Sequence, residues 1–157
     1  MVAHTLTLST RLQAPADAVW QALASPATLL HVARPLARFP DLEGRTAAWR
    51  QGETVTTRVL LLGVLPVSRH RLTLEEVDEH GRRVQSDEGG GLVRSWRHLI
   101  TVEPQGADAC RYTDVVEIDA GPLTPAVALW ARGFYRWRQR RWRDLAASHL
   151  APSPAAA

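Results

Sequence analysis

The sequence predicts an α+β fold of the helix-grip type, in which a curved antiparallel sheet wraps around one long C-terminal helix. Three observations lead to this prediction: an alternating strand pattern at the N-terminus, two short helical segments directly after it, and a series of strands that ends in a long amphipathic helix. A sheet of about six to seven strands must curl, and the long helix is the element that remains to cover its concave face. We expect one domain over residues 1–150 and a disordered tail over residues 151–157.

The first three elements follow from a change in the period of the apolar residues. Residues 4–12 alternate between apolar and polar side chains, which is typical of a half-buried strand. After Pro15 the run ADAVWQALA places its apolar residues on one helical face. Ser25 and Pro26 then supply the N-cap and the first position of a second short helix, which Pro35 ends.

The middle of the chain predicts successive hairpins, because strand-like runs alternate with turns that contain glycine or proline. The strands lie at residues 53–62, 67–77, 83–88, 92–103 and 109–119. Thr124 and Pro125 begin the final helix, which continues to about His149. Residues 36–52 fit no element well, and their Trp49 either begins a strand or lines the mouth of a cavity.

The composition excludes several classes of protein. With 45% hydrophobic and 22% charged residues, the chain is neither disordered nor fibrous. The single Cys110 excludes an internal disulfide and any metal site built from several cysteines. The N-terminus lacks a signal-peptide pattern, and no apolar run approaches the roughly 18 residues that span a membrane. We therefore expect a cytoplasmic protein.

Arginines and aromatic residues interleave in the final helix, a pattern typical of nucleic-acid-binding surfaces, although the net charge of the chain is only +3. At about 100° per residue, the two types separate in space. The predicted apolar stripe contains Leu123, Val127, Trp130, Phe134, Trp137 and Leu145, and the opposite, solvated face contains Arg132, Arg136, Arg140 and Arg143. Bases cannot stack on buried aromatic rings, so we expect no nucleic-acid partner.

Arg141 is the exception, because the same helical wheel places it in the middle of the apolar stripe. It must pair with a carboxylate, reach past the end of the sheet, or meet an anionic group of a ligand, and the structural explanations are favoured. Tyr135 and Trp142 fall beside the stripe, where they either line a cavity or are exposed. If exposed next to the basic face, they would support a weak contact with an anionic membrane.

The last predicted hairpin brings a histidine and an aspartate onto one face. With its turn at residues 104–108, the opposed pairs are Trp96 with Val116, His98 with Asp114, and Ile100 with Tyr112. The apolar members mark this face as the inner one. His98, oriented by Asp114, could act as a general base or as a polar anchor for a ligand. Alternatively the two groups satisfy each other as a buried polar pair, and this structural interpretation is favoured.

The first long hairpin, with its turn at residues 63–66, gives a second candidate inner face. Its register sets Val59 opposite His70 and Thr57 opposite Leu72. The face then contains Val55, Val59, Leu61, His70, Leu72 and Leu74. His70 is thus a second polar candidate, although a lone histidine on an apolar strand is usually structural. In the next hairpin one register turns Glu88 inward and its neighbour turns Asp87 inward, and both remain open.

No metal or cofactor is expected. His70, His98 and Asp114 could supply mixed metal ligands, but their spacing matches no compact zinc signature. The run of glycines at residues 89–91 lacks the Lys-Ser/Thr of a phosphate-binding loop and precedes a strand. We interpret these glycines as a turn or bulge at the mouth of a cavity.

Three segments resemble the START/SRPBCC superfamily. The segment 12-LQAPADAVWQALASPATLLHV-32 is similar to the N-terminal segment of that family, and 96-WRHLITVEP-104 with 114-DVVEIDAGP-122 resembles small SRPBCC domains that occur alone or fused to sugar-nucleotide epimerases. The resemblance covers nearly the whole chain. It implies a deep, mostly apolar cavity between sheet and helix that holds a lipid-like or aromatic molecule. It implies no particular reaction, since the superfamily shares no catalytic residue.

The leading functional hypothesis is a binding protein for an apolar small molecule, such as a lipid, a quinone or an aromatic, polyketide-like compound. The candidate cavity residues are Val59, His70, Leu72, Trp96, His98, Ile100, Tyr112, Asp114, Val116, Trp130, Phe134, Trp137 and Arg141. One alternative is a cyclase- or dehydratase-like enzyme that uses His98 with Asp114. Another is a module whose basic helix face binds a membrane or an acidic partner. We expect a monomer or a homodimer.

Overall fold

The computed structural model describes residues 3–152, apart from the side chain of Val67. The strands and α-helices are β1 (His4–Leu12), α1 (Ala16–Leu23), α2 (Pro26–Ala33), β2 (Ala37–Arg38), β3 (Thr54–Leu61), β4 (Leu65–Asp78), β5 (Arg83–Gly90), β6 (Val93–Pro104), β7 (Cys110–Asp119) and α3 (Thr124–Leu145), and a π-helical turn, Ala146–Leu150, continues α3. This is the predicted order, with β2 added. Residues 153–157 of the predicted disordered tail lie outside the described residues.

The strands form one seven-stranded antiparallel sheet in the order β1-β7-β6-β5-β4-β3-β2. The N-terminal β1 therefore pairs with the last strand, from His4 opposite Ile118 to Leu12 opposite Cys110. The sheet curls into a half-barrel, and α3 lies in its concavity, which confirms the helix-grip architecture. The strand contacts of α3 are concentrated on β1 and β7, and the helix also packs on α2. Because α3 packs on one side of the sheet, space remains over the other strands.

Two apolar clusters hold α3 in this position. In one, Trp142 is fully buried and its ring lies 5.2 Å from that of Tyr112, measured between centroids. In the other, Phe134 and Tyr135 pack with Trp96. Burying one large side chain contributes about 1.5–3 kcal/mol, so these aromatic contacts are a main source of the stability of the sheet-helix interface. Among the described residues, no helix is long and apolar enough to cross a membrane.

The predicted register of the β6–β7 hairpin is wrong by two residues. Trp96 lies opposite Ile118 instead of Val116, His98 opposite Val116 instead of Asp114, and Ile100 opposite Asp114 instead of Tyr112. The cause is that the loop is shorter than the predicted turn at residues 104–108. Pro104 belongs to the strand and pairs with Cys110, and the backbone N–H of Gln105 donates to the carbonyl of Ala109. A shift of two keeps every side chain on its face, so the predicted inner face survives the error.

The β3–β4 hairpin shows the same kind of difference. Thr57 lies opposite His70 instead of Leu72, and Val59 lies opposite Ser68 instead of His70. The register changes at a β-bulge between Val59 and Leu60, which the sequence pattern does not reveal. Here too the shift preserves the face. In the following hairpin Leu72 pairs with Glu88, and it is Glu88 that faces the helix side of the sheet.

The inner face of α3 differs from the predicted stripe. The side chains buried against the sheet include Ala131, Tyr135, Arg138 and Trp142, while Leu123 and Trp130 are 46% and 40% exposed. Arg141 is not at the centre of the interface; its Nη2 donates to the carbonyl of His31 on α2, at 3.2 Å. The prediction failed because it counted only apolar residues, whereas the inner face also carries polar groups and alanines. The predicted outer residues Arg132, Arg136, Arg140 and Arg143 are exposed.

Candidate functional site

A cavity of about 440 Å³ lies between the concave face of the sheet and α3. This volume is in the range of small-molecule sites. Apolar side chains of all three helices and of β3 to β6 line most of it. The lining residues Leu92, Leu123 and Trp130 are exposed, and they mark the end at which the cavity opens to solvent.

A polar band crosses the sheet wall of this cavity. It consists of Thr57, His70, Ser86, Glu88 and His98, contributed by four successive strands. Thr57 lies opposite His70, and Ser86 lies opposite His98, so the strand register brings these side chains into one row. Apart from Ser68 on β4, the remaining sheet lining is apolar, and the polar band is therefore the main region of the sheet that can orient a bound molecule by hydrogen bonds.

The first histidine-carboxylate pair joins β6 to β7 beneath α3. His98 Nε2 lies 2.8 Å from Asp114 Oδ1, which also accepts from the Tyr112 hydroxyl at 3.3 Å. Gln139 Nε2 on α3 donates to Asp114 Oδ2 at 2.9 Å and to the Leu8 carbonyl of β1 at 2.8 Å. Asp114 is completely buried, and its three donors satisfy it from two strands and a helix.

Electrostatics favour the ionised form of this carboxyl. Burial raises the pKa of Asp114, but the hydrogen bond from His98 and the charge of Arg138 outweigh it, so the pKa lies below its ordinary value. An ionised carboxylate only accepts, and His98 must therefore donate from Nε2. In the neutral imidazole, Nδ1 then holds the lone pair, which is the protonation state of a general base.

Both members of the second pair belong to the polar band, whereas only His98 of the first pair does. His70 Nε2 lies 2.9 Å from Glu88 Oε2, and the Ser86 hydroxyl donates to Glu88 Oε1 at 2.6 Å. Burial raises the pKa of Glu88, but the hydrogen bond and charge of His70 more than offset this, and the net pKa is lowered. All three side chains line the cavity, so this pair contacts the space directly.

Arg138 is a buried cation in the wall that α3 contributes. Its side chain lines the cavity and the residue is only 5% exposed. The guanidinium carbon lies 5.2 Å from the ring centroid of Tyr135 and 5.9 Å from that of Phe134. Burial lowers the pKa of Arg138, but the surrounding Tyr112, Asp114, Tyr135 and Glu88 raise it by more than burial lowers it. The net pKa therefore lies above its ordinary value, and the group stays charged.

The structure places eight of the predicted site residues in the cavity lining: Val59, His70, Leu72, Trp96, His98, Ile100, Trp130 and Phe134. Tyr112, Asp114 and Val116 are buried behind the lining, because β7 is covered by α3. Trp137 and Arg141 turn toward α2 instead, where the Trp137 indole N–H donates to the Arg34 carbonyl at 2.8 Å. Ligand contact by these residues remains a prediction.

Sequence reasoning missed Arg138 as a cavity residue, while Tyr135 and Trp142, for which two roles were open, both line the cavity. A signal was present, since Ala131, Tyr135, Arg138 and Trp142 follow the i, i+4, i+7, i+11 spacing of one helical face. Counting alanine as an interior residue would have placed this face of the helical wheel against the sheet. Trp49, for which two roles were open, lines the cavity, and β3 begins only at Thr54.

The glycines after Glu88 form the predicted bulge. The β5–β6 register changes between Glu88 and Gly90, and Gly90 has a φ of +143°. A Cβ at Gly90 would lie 2.0 Å from the Arg69 carbonyl oxygen, so only glycine fits there. As to metals, residues 3–152 contain no group of three or more His, Cys, Asp or Glu side chains arranged to hold an ion, and His70 and His98 contact different carboxylates.

A sequence model of the family described as Domain of unknown function (DUF8410) matches residues 10–146. No curated protein matches the sequence. The fold is similar to that of norcoclaurine synthase from Thalictrum flavum, at 16% identity over 96% of this chain and 90% of that one, with a TM-score of 0.66. It is also similar to the Zhui aromatase/cyclase from Streptomyces sp., at 18% identity over 99% and 98% of the two chains, with a TM-score of 0.69. A START superfamily protein from Mycobacterium smegmatis matches at 13% identity over 92% and 97%, with a TM-score of 0.68. These similarities confirm a START/SRPBCC-type fold.

Proposed function

The chain belongs to this DUF8410 family, and we propose that it binds an apolar small molecule in the cavity between the sheet and α3. The observation that carries the proposal is the cavity of about 440 Å³, whose lining is mostly apolar, with the polar band, Ser68 and Arg138 as its main polar groups. Apolar area removed from water contributes about 25 cal/mol per Å², while a few fixed polar groups orient the ligand. A lipid, a quinone or an aromatic, polyketide-like compound combines such a large apolar body with a few polar groups.

The fold neighbours support a small-molecule ligand. The norcoclaurine synthase structure contains dopamine and hydroxybenzaldehyde, and another neighbour is named an aromatase/cyclase. At these identities the similarity concerns the fold, so the ligand of this chain must be inferred from its own cavity residues.

A pair of leucine-to-tryptophan variants tests the proposal. Leu72 lines the cavity, whereas Leu129 is 73% exposed on the other side of α3. We expect Leu72→Trp to fill the space and to weaken binding of the neutral fluorophore Nile red at least about tenfold, the equivalent of 1.4 kcal/mol. Leu129→Trp should bind as the wild type does.

Equal binding by both variants would show that the fluorophore occupies another surface. Extraction of the purified wild type with organic solvent, followed by mass spectrometry, is the complementary measurement, and we expect an apolar molecule to accompany the protein. A wild type that neither binds Nile red nor carries such a molecule would overturn the proposal.

A second candidate function is catalysis by His98. The observation that favours it is a histidine in the cavity lining whose Nε2 is fixed by a buried carboxylate, which leaves Nδ1 to accept a proton. In a cyclase- or dehydratase-like reaction this base would remove a proton from a carbon next to a carbonyl group of the substrate.

Proton exchange on a simple ketone tests this candidate. The methyl protons of an aryl methyl ketone should exchange in deuterium oxide faster with the protein than with buffer, as followed by proton NMR. We expect His98→Gln to remove the acceleration and His70→Gln to retain most of it. An exchange rate in the presence of wild type equal to that in buffer would exclude general-base catalysis on this class of substrate.

A further inference from the structure

Arg138 is a buried guanidinium whose Nε finds no acceptor among the described residues. This Nε is buried without a hydrogen-bond partner, and none of the ion pairs among residues 3–152 involves the side chain. The aromatic rings of Phe134 and Tyr135 contact the guanidinium instead, and the side chain lines the cavity. A guanidinium carries five N–H donors, and a buried cation of this kind requires acceptors.

The two nearby carboxylates already have other partners. Asp114 accepts from His98, Tyr112 and Gln139, and Glu88 accepts from a histidine and a serine. The charge of Arg138 acts on both at a distance but is not used in a direct contact, so it is available to a bound molecule.

The shape of the guanidinium restricts what that molecule is. Its planar fork matches a carboxylate, which can accept two parallel N–H bonds, and such charge-assisted bonds are stronger than neutral ones. The apolar lining around it excludes small hydrophilic anions in favour of a molecule with a large apolar body. The nearby Trp96, Phe134 and Tyr135 form the apolar surface on which the adjoining part of that body would pack.

We propose that Arg138 binds the acidic group of the ligand, and that the ligand is an apolar carboxylic acid. The carboxylate pairs with the guanidinium at α3, and the apolar body fills the cavity toward the lining residues of β3 and β4. This inference rests on the proposed binding function and specifies its ligand class. A fatty acid and an aromatic acid share this chemistry and differ in the body that follows the carboxylate.

Matched acids and esters test the proposal on the intact protein. Decanoic acid and naphthoic acid are each compared with their methyl esters by isothermal titration calorimetry. We expect wild type to bind at least one acid about tenfold or more tightly than its ester, because the ester lacks the charge that Arg138 recognises. The acid that shows this preference identifies the body as aliphatic or aromatic.

Two variants assign the preference to Arg138. Arg138→Met keeps the length and apolar stem of the side chain but removes the charge, and we expect it to bind acid and ester within about twofold of each other. Arg141→Met removes the same charge from the same helix outside the cavity, where the side chain contacts α2, and should retain the preference of wild type. If Arg138→Met does not fold, Arg138→Lys replaces it, with the charge retained but the fork lost, and we expect a reduced preference.

The outcomes separate the two proposals. Equal binding of acid and ester by wild type would overturn the role of Arg138 and leave the apolar cavity as a binding site. A preference that persists in Arg138→Met would also overturn it. If no acid and no ester binds, the binding function itself is wrong for both ligand bodies.

Discussion

The two histidine-carboxylate pairs of the concave face have nearly the same contact distance but different surroundings. His98 and Asp114 are 2.8 Å apart and their side chains are 6% and 0% exposed. His70 and Glu88 are 2.9 Å apart, and both side chains are 14% exposed. Asp114 of the first pair lies under α3 and only His98 reaches the cavity lining, whereas both members of the second pair line the cavity.

The surroundings assign different roles to the pairs. Gln139 connects Asp114 to α3 and, through the Leu8 carbonyl, to β1, so the first pair belongs to the contact that fixes the helix on the sheet. Among residues 3–152, Glu88 accepts hydrogen bonds from strand residues alone, and no helix residue donates to it. We infer that loss of the first pair affects stability most, whereas loss of the second affects the properties of the cavity.

The largest expected difference is between Asp114→Ala and Glu88→Ala. Removing Asp114 takes this acceptor from His98 and Tyr112 and leaves Gln139 with the Leu8 carbonyl alone, and we expect a loss of about 3–5 kcal/mol in the free energy of unfolding. Glu88→Ala should cost about 1–2 kcal/mol, because Glu88 and its partner His70 are both partly exposed. Urea denaturation followed by circular dichroism measures both. Equal losses would show that the two pairs contribute alike.

A smaller effect is expected for Gln139→Leu. This change removes the amide that links α3 to Asp114 and to the Leu8 carbonyl but keeps a similar volume. We expect a loss of about 1–3 kcal/mol in the free energy of unfolding, since one buried carboxylate and one carbonyl each lose a donor. The matched control is Gln85→Leu, because Gln85 donates to Glu75 at an exposed site. A Gln139→Leu protein as stable as this control would contradict the role of the first pair.

The smallest expected effect is the dependence of stability on pH. The folded pKa values of Asp114 and Glu88 lie below their ordinary values of 3.8 and 4.5, so both carboxylates contribute stability above these values and lose it as the pH falls through the folded pKa. We expect the unfolding free energy to fall as the pH drops below the ordinary values, by about 1.4 kcal/mol per unit of pKa lowering. Asp114→Asn should flatten this fall more than Arg97→Gln, an exposed control. If the unfolding free energy of Asp114→Asn falls with pH as steeply as that of wild type, Asp114 is not a source of this pH dependence.

The sequence predicted the fold well because strand and helix periods depend on local residue patterns. It predicted the faces of β6 and β7 even though the register was wrong by two, since a two-residue shift leaves each side chain on its face. That is why His98 and Asp114 were expected together, although they meet diagonally across the strands.

Hydrophobicity alone predicted the wrong inner face for α3. It does not show that Arg138 and Gln139 are buried, and Gln139 is paired there with Asp114, which a distant strand brings beneath the helix. The β-bulges and the choice between Asp87 and Glu88 likewise depend on pairing over the whole sheet. The local sequence pattern therefore predicts the elements and the faces of the strands, whereas the polar residues of the candidate site depend on contacts between distant parts of the chain.

The buried Cys110 is a natural probe for the rate at which the sheet opens locally. It is the only cysteine in the chain, it is completely buried at the start of β7, and burial raises the pKa of its thiol. A thiol reagent can reach it only when the strands around Leu12 and Pro104 separate. The rate of labelling by such a reagent therefore reports how often this part of the sheet opens, with no probe added to the protein.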